Sequence, residues 1–462
     1  MAGLCGAGKS YVGEEQMSRN KVPKSRISRR DFLKASAVAA AGFALPTMVP
    51  SSVLGANAPS NRITVGCIGV GRMGLGNMED FLRFEQVRIV AVCDVDSKRA
   101  EHAKELVEKH YAEQEGSGTY KGCEAYKDFR EVIARGDIDV VSIVTPDHWH
   151  AIPAIAAAKA GKDIFLEKPL TLTIEEGRVL SDTVRRYGRV LQVGSQQRSE
   201  PNFCLACELV RNGRIGRAQT IKIGLPTDWG TEPQAPTAVP ENLDYEMWVG
   251  PAPWAAYTEN RVHPQEDYER PGWLRISDYG SGMITGWGAH HLDTAQWAMG
   301  MEESGPVEVK GWAEYPRDGL WDVHGDFKIE YKYENGVELI CAARSRIKQG
   351  VLFEGTEGRI LVRRWTVETQ PESLLTSKVK PEEIHLYRNK DHKADFLDCI
   401  KSRAETVAPV EVGHRSCTVC LLGAIAMKLG RRLKWDPAAE RFGNDVQANQ
   451  MLSRPMRSPW HL

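Results

Sequence analysis

Very little net charge remains when the sequence is summed: 60 Lys+Arg oppose 61 Asp+Glu, a formal charge of -1 over 462 residues. The chain as a whole therefore carries no basic footprint for nucleic acid and no cationic field for an anionic membrane. It also lacks an unbroken apolar run of the roughly 18 residues that span a bilayer, which excludes a bundle of membrane-crossing helices and stable membrane insertion. Cysteine is sparse, ten residues scattered over the whole length, so a small disulfide-stapled scaffold is excluded. Two pairs have the spacing of a metal clip, Cys204 with Cys207 and Cys417 with Cys420. Both fall in helically patterned stretches, where small sulfur side chains three apart fill a core, and no metal is expected.

What is present is a globular composition, 42% hydrophobic and 26% charged, at a length that suits two or three domains. The charge is unevenly spread. Residues 1–34 hold Lys9, Arg19, Lys21, Lys24, Arg26, Arg29, Arg30 and Lys34 against Glu14, Glu15 and Asp31, and residues 35–58 hold none. Ser28-Arg29-Arg30-Asp31-Phe32-Leu33-Lys34 resembles a twin-arginine export signal, the stretch 35–45 is small and apolar, and Ala56-Asn57-Ala58 offers an A-x-A cleavage site. Residues 1–58 are therefore expected to direct export, to the periplasm or beyond, through the twin-arginine translocation machinery, and to be removed. Without them 52 basic and 58 acidic residues remain, a charge of about -6. Gly3-Leu4-Cys5-Gly6-Ala7-Gly8-Lys9-Ser10 has the letters of a phosphate loop. No strand precedes it, so it lacks the context that aims backbone N–H groups at phosphates.

Past the leader, Ile63–Ile68 is an apolar run suited to a buried parallel strand. It leads directly into Gly69-Val70-Gly71-Arg72-Met73-Gly74 and a helical stretch. In such a turn the first glycine permits the bend, the second lets a pyrophosphate approach the backbone, and the third lets helix and strand pack closely. A second strand, Val87–Cys93, ends at Asp94, twenty positions after Gly74. A carboxylate there accepts hydrogen bonds from an adenosine ribose and repels a 2′-phosphate, which favours NAD over NADP. Alternating helices and strands continue to about residue 194. Thr145-Pro146-Asp147-His148-Trp149-His150, Glu167-Lys168-Pro169 and Ser195-Gln196-Gln197-Arg198 each follow a strand. The pattern specifies a doubly wound parallel sheet with its ligand site beyond the carboxyl ends of the strands. That region is expected to span residues 59–198 as a Rossmann domain, with Gly69, Gly71, Arg72, Met73, Gly74, Asp94, Thr145, Pro146, His150, Glu167 and Lys168 at the cofactor.

Together with Gly288-Ala289-His290-His291-Leu292-Asp293, these motifs resemble the Gfo/Idh/MocA oxidoreductases, a likeness that covers roughly residues 61–462. The resemblance implies NAD-dependent hydride transfer on a sugar, polyol or glycoside; export to where free NAD is scarce implies that the cofactor is tightly held. It also leaves open a redox-neutral glycosidase that oxidises a sugar transiently, eliminates the aglycone and reduces the product. In the family the lysine matching Lys168 orients the substrate hydroxyl and relays its proton. At helical spacing His290 and Asp293 share a face, which suggests His290 as general acid/base and Asp293 as a hydroxyl-binding carboxylate. Trp149, Gln197, Arg198 and His291 are expected near the substrate. One departure stands out: relatives like inositol dehydrogenase carry an aspartate four positions before the histidine, where this chain has Gly286.

From about residue 199 the pattern changes to strand-like runs, with Asn335-Gly336 as a hairpin signal. This predicts a C-terminal α+β domain, residues 199–462, with a largely antiparallel open sheet whose free face suits a homo-oligomer. An insert at 226–281 is rich in Pro, Trp and Tyr; it either shapes a carbohydrate site or packs as the core of an irregular loop.

Overall fold

The computed structural model describes residues 62–462. The export-signal reading and the phosphate-loop letters lie outside the described residues. Strand β1 (Ile63–Ile68) is buried along almost its whole length, as a strand covered by helices on both faces must be. It is followed by α1 (Arg72–Leu82), β2 (Val87–Cys93), α2 (Ser97–Glu115), β3 (Glu124–Tyr126), α3 (Phe129–Ala134), β4 (Val140–Ile143), α4 (Ala151–Lys159), β5 (Asp163–Leu166), α5 (Ile174–Arg186) and β6 (Leu191–Val193). The six strands pair in the order β3-β2-β1-β4-β5-β6, all parallel. The order reverses at β1, so the crevice between the carboxyl ends of β1 and β4 is the switch point where such sheets bind ligands.

The second half comprises α6 (Pro201–Arg211), β7 (Ala218–Leu225), α7 (Tyr245–Val249), α8 (Met283–Gly286), α9 (Gly288–Met299), β8 (Glu308–Ala313), β9 (Phe327–Lys332), β10 (Glu338–Ala343), β11 (Gly350–Gly355), β12 (Arg359–Arg363), β13 (Thr366–Gln370), α10 (His392–Ser402), α11 (Val410–Leu429), β14 (Arg432–Lys434) and α12 (Val446–Gln450). Its eight strands run β13-β12-β11-β7-β10-β9-β8-β14. Only β7 and β10 pair in parallel; the rest are antiparallel, as the patterning predicts. The Asn335-Gly336 turn joins β9 to β10, with Gly336 at φ 85°, a conformation that favours glycine.

Helix α11 has the length and apolarity of a membrane span, yet 89% of its most apolar window is buried. It packs on α5, α9 and β8, and one apolar core runs from Ile143 and Leu166 through Cys420 and Leu422 to Ile223 and Phe353. The nine described cysteines are free and buried. The carboxyl tail folds back: Arg454 donates to Glu176 Oε1 (2.9 Å) and the His148 carbonyl (2.8 Å), and the Trp460 ring lies 4.7 Å from that of Trp149.

Candidate active site

At the switch point Gly69 has φ 82°, and a Cβ there would lie 2.6 Å from the Val144 carbonyl oxygen. A Cβ on Gly74 would lie 2.0 Å from the Gly69 oxygen, so helix and turn could not close on any larger residue. Gly71 differs: its nearest neighbour would be Arg99 Nη1 at 3.6 Å. It stands open at the start of α1, where no side chain caps the helix. An uncapped helix N-terminus presents free N–H groups and the positive end of the helix dipole, suited to a pyrophosphate. Asp94 closes this end of the cavity. Its two oxygens accept from Val70 N and Asp96 N, each at 2.9 Å, and burial raises its pKa against those donors.

The loops after β4 and β5 are pinned together by His150, whose ring lies between the Pro169 (2.6 Å) and Thr145 (2.9 Å) carbonyls. Burial lowers its pKa, so the neutral ring donates to one of the two. Glu167 is similarly committed. Its carboxylate accepts from Asn77 Nδ2 (3.2 Å), Gln196 Nε2 (2.9 Å) and Lys168 N (3.1 Å), joining α1 to the ends of β5 and β6. Lys168 is thereby aimed across the crevice, where its Nζ donates to the Gly286 carbonyl at 3.3 Å. A Cβ on Gly286 would meet only Met283 Sδ, at 3.8 Å.

On the far wall, His290 lines the cavity and its buried Nδ1 has no partner among the described residues. Burial first, then the charges of Lys168 and Arg364, hold its imidazole neutral. Trp149 lines the cavity too and donates through Nε1 to the Trp248 carbonyl at 3.0 Å. At the mouth stands Trp365, 86% exposed at φ 75°. It occupies the two-residue turn between β12 and β13 beside Arg364, which stacks over Trp287. In the 226–281 insert Tyr245, Trp248, Tyr257 and Tyr279 build a core of their own, while Met247, Trp248, Pro271 and Trp273 line the cavity.

Four residues expected at the substrate lie elsewhere. Asp293 is buried behind α9, holding Arg198 through two bonds (2.7 and 2.8 Å) and Ser416 Oγ (2.6 Å). Arg198 also reaches Glu302 at 2.8 Å. His291 stacks near Phe203 and meets Gln197 Oε1 at 3.3 Å. Three positions along a helix leave about 60° between side chains, and α9 is buried on nearly every side. His290 thus faces the cavity while Asp293 faces a polar seam. The residue after β6 that does reach the cavity is Gln196. Asp147, read from the sequence only as part of its motif, lines the cavity as well, almost completely buried. Burial, opposed by Lys168, pushes its carboxyl up to about 7.

These groups enclose a cavity of about 730 Å³, within the range that holds a small ligand or cofactor. A dinucleotide fits the residues present: the glycine cradle and open helix end suit its phosphates, Asp94 its ribose. The buried Thr145 Oγ1 and His290 Nδ1, without partners among the described residues, suit polar atoms between the walls. Replacing Asp94 with serine is expected to weaken NAD binding by about tenfold, one charged hydrogen bond's worth, and to narrow the preference over NADP. Fluorescence titration with both dinucleotides reads the result.

Comparison with known proteins agrees with this geometry. Residues 63–195 match the Gfo/Idh/MocA "Oxidoreductase family, NAD-binding Rossmann fold", and residues 209–462 its "C-terminal alpha/beta domain". Residues 26–46 match a twin-arginine translocation signal sequence, which marks the chain for export by that pathway. A glycosyl hydrolase family 109 protein of Shewanella sp. (strain ANA-3) is 34% identical over 206 residues, 42% of this chain and 44% of that protein. An alpha-N-acetylgalactosaminidase of Shewanella oneidensis is 33% identical over 205 residues, 41% of this chain and 44% of that one. These alignments thus span less than half of each relative. Among solved structures, the WlbA dehydrogenase of Bordetella pertussis in complex with NADH and UDP-GlcNAcA aligns with TM-score 0.58 at 15% identity, covering 81% of this chain and 99% of that one. A levoglucosan dehydrogenase in complex with NADH and L-sorbose aligns with TM-score 0.56 at 22% identity, covering 81% and 98%.

Proposed function

The chain belongs to the Gfo/Idh/MocA oxidoreductase family, and on that premise we propose that it is an exported NAD-dependent enzyme exchanging a hydride with a carbinol carbon of a sugar or glycoside. The observation that carries the reading is one cavity with the glycine turn and Asp94 at one end, and Lys168 and His290 facing each other at the other. When bound, the dinucleotide supplies the hydride acceptor and donor. Lys168 places a positive charge where the substrate oxygen develops negative charge. The neutral His290 ring orients a hydroxyl through its free Nδ1. Thr145 Oγ1, Glu167 and the loop joined by His150 would help to hold the cofactor. Free dinucleotide is scarce outside the cytoplasm, so the cofactor is held tightly and recycled in place.

A second reading is favoured by the names of the family 109 relatives and by Gly286, which leaves space beside Lys168 for a bulky aglycone. Here the hydride taken from a ring carbon is returned to the same sugar after the aglycone leaves, with no net redox change. Incubation with an aryl α-N-acetylgalactosaminide separates the two. Phenol released with no lasting rise in reduced-nicotinamide absorbance supports the glycosidase; a keto-sugar accumulating with reduced dinucleotide supports net oxidation. A purified protein that native mass spectrometry finds empty, and that added NAD does not fill, contradicts both.

A further inference from the structure

We propose that Asp147 is the carboxyl that takes and returns the substrate's hydroxyl proton, a role that rests on the hydride-transfer reading above. Asp147 opens the one-turn segment after β4, and Lys168 follows β5, the next strand in the sheet. The two side chains therefore emerge from adjacent strand ends into one cavity. Three other cavity carboxylates already have partners. Asp94 holds two backbone N–H groups, Glu167 holds Asn77, Gln196 and Lys168 N, and Glu200 lies 3.9 Å from Arg364. The Asp147 carboxylate has no side-chain partner among the described residues; the one hydrogen bond acting on it comes from its own backbone N–H.

The space around it is kept open. Opposite stands Gly280, where a Cβ would lie 3.3 Å from Asp147 Oδ2 and 3.4 Å from the Trp273 ring, so any side chain there would crowd the carboxyl. The groups that face Asp147 electrostatically are Lys168 and, from α11, Cys417. Burial pushes the Cys417 thiol up to about 12, leaving Lys168 as the one charge acting on Asp147. The neighbouring histidines are poor proton stores. His290 is held neutral by burial, and His148, lowered to about 3, is tied to the Trp248 carbonyl. With glycine at 286 the far wall contributes no carboxylate there. Asp147 supplies one from the end of β4, the strand beside the one that carries Lys168.

In the oxidative direction the substrate O–H bond breaks toward Asp147, and the carboxylate becomes the acid. The carbon-bound hydrogen leaves with its electron pair to the oxidised nicotinamide dinucleotide, and the carbinol becomes a carbonyl. Reduction reverses each transfer. The oxidative rate accordingly rises as pH rises through about 7, where the carboxylate forms, and the reductive rate falls.

The test compares wild type with Asp147→Asn, which keeps the shape and removes the titration. Expected are a single-turnover rate lower by a factor on the order of 100 or more, unchanged NAD affinity by fluorescence, and loss of the neutral limb in the pH profile. Independently of activity, wild type should show an infrared band of a protonated carboxyl that titrates near neutrality and is missing in the variant. An unaltered rate and pH profile in a variant that binds NAD overturns the assignment while leaving hydride transfer standing. Wild type that binds no NAD fails the parent reading instead, and the assignment with it. If the asparagine variant does not fold, the wild-type spectrum decides: no carboxyl titrating near neutrality overturns the proposal.

Discussion

Replacing Lys168 with alanine lowers turnover by a factor on the order of 100 or more, with the melting temperature almost unchanged. Among the described residues the lysine forms no ion pair, and its one side-chain hydrogen bond runs to the Gly286 carbonyl at 3.3 Å, so little of the fold depends on it. What disappears is the cation at the reacting oxygen. Its charge also lowers Asp147 and helps to keep His290 neutral. Without it the Asp147 carboxyl titrates at higher pH, and the oxidative limb shifts to the alkaline side of its wild-type position. Kinetics across pH, with NAD affinity measured separately, check both effects. Full turnover in the alanine variant would remove Lys168 from the mechanism.

The second large effect is on stability. Arg198→Met is expected to cost about 3–5 kcal/mol, because it strands a buried charge instead of removing a pair. Asp293 and Arg198 are both almost wholly buried, and the guanidinium also holds Glu302 and lies 5.0 Å over the Trp297 ring. These contacts more than offset the burial that alone would lower its pKa. The loss appears as a melting temperature lower by roughly 4–6 °C. The double change Arg198→Met with Asp293→Leu should recover part of it, since an apolar pair leaves no uncompensated charge. If the single variant melts with wild type, the pair is not holding α9 against the loop after β6.

This seam explains why part of the site was hidden in the sequence. Residues after a strand in a doubly wound sheet all lie at the ligand end, and Gln196, Gln197 and Arg198 look alike by position. In the structure Gln196 faces the cavity while Arg198 turns under α9 to meet Asp293. The choice depends on a helix about 95 residues away in the chain, which no local pattern contains. Asp147 escaped notice for a similar reason. A polar residue after a strand reads as an ordinary turn former until tertiary packing buries it. Short polar edge strands were equally faint. In β13 buried positions are absent altogether, and in β3 only Tyr126 is even partly covered, so hydrophobic periodicity has nothing to report.

The glycine turn, the helix–strand alternation, the Asn-Gly hairpin and the acid after β2 were legible because each is imposed by local backbone geometry or by a period of two or 3.6 residues. From those alone follow the parallel sheet, its dinucleotide end and a second, largely antiparallel sheet. Which of two neighbouring histidines faces the cavity, which carboxylates are already committed to partners, and which one is left free to hold a proton were decided by tertiary packing. Burial and the proximity of distant charges set those properties, and both arise only when the two sheets close on each other around α9 and α11.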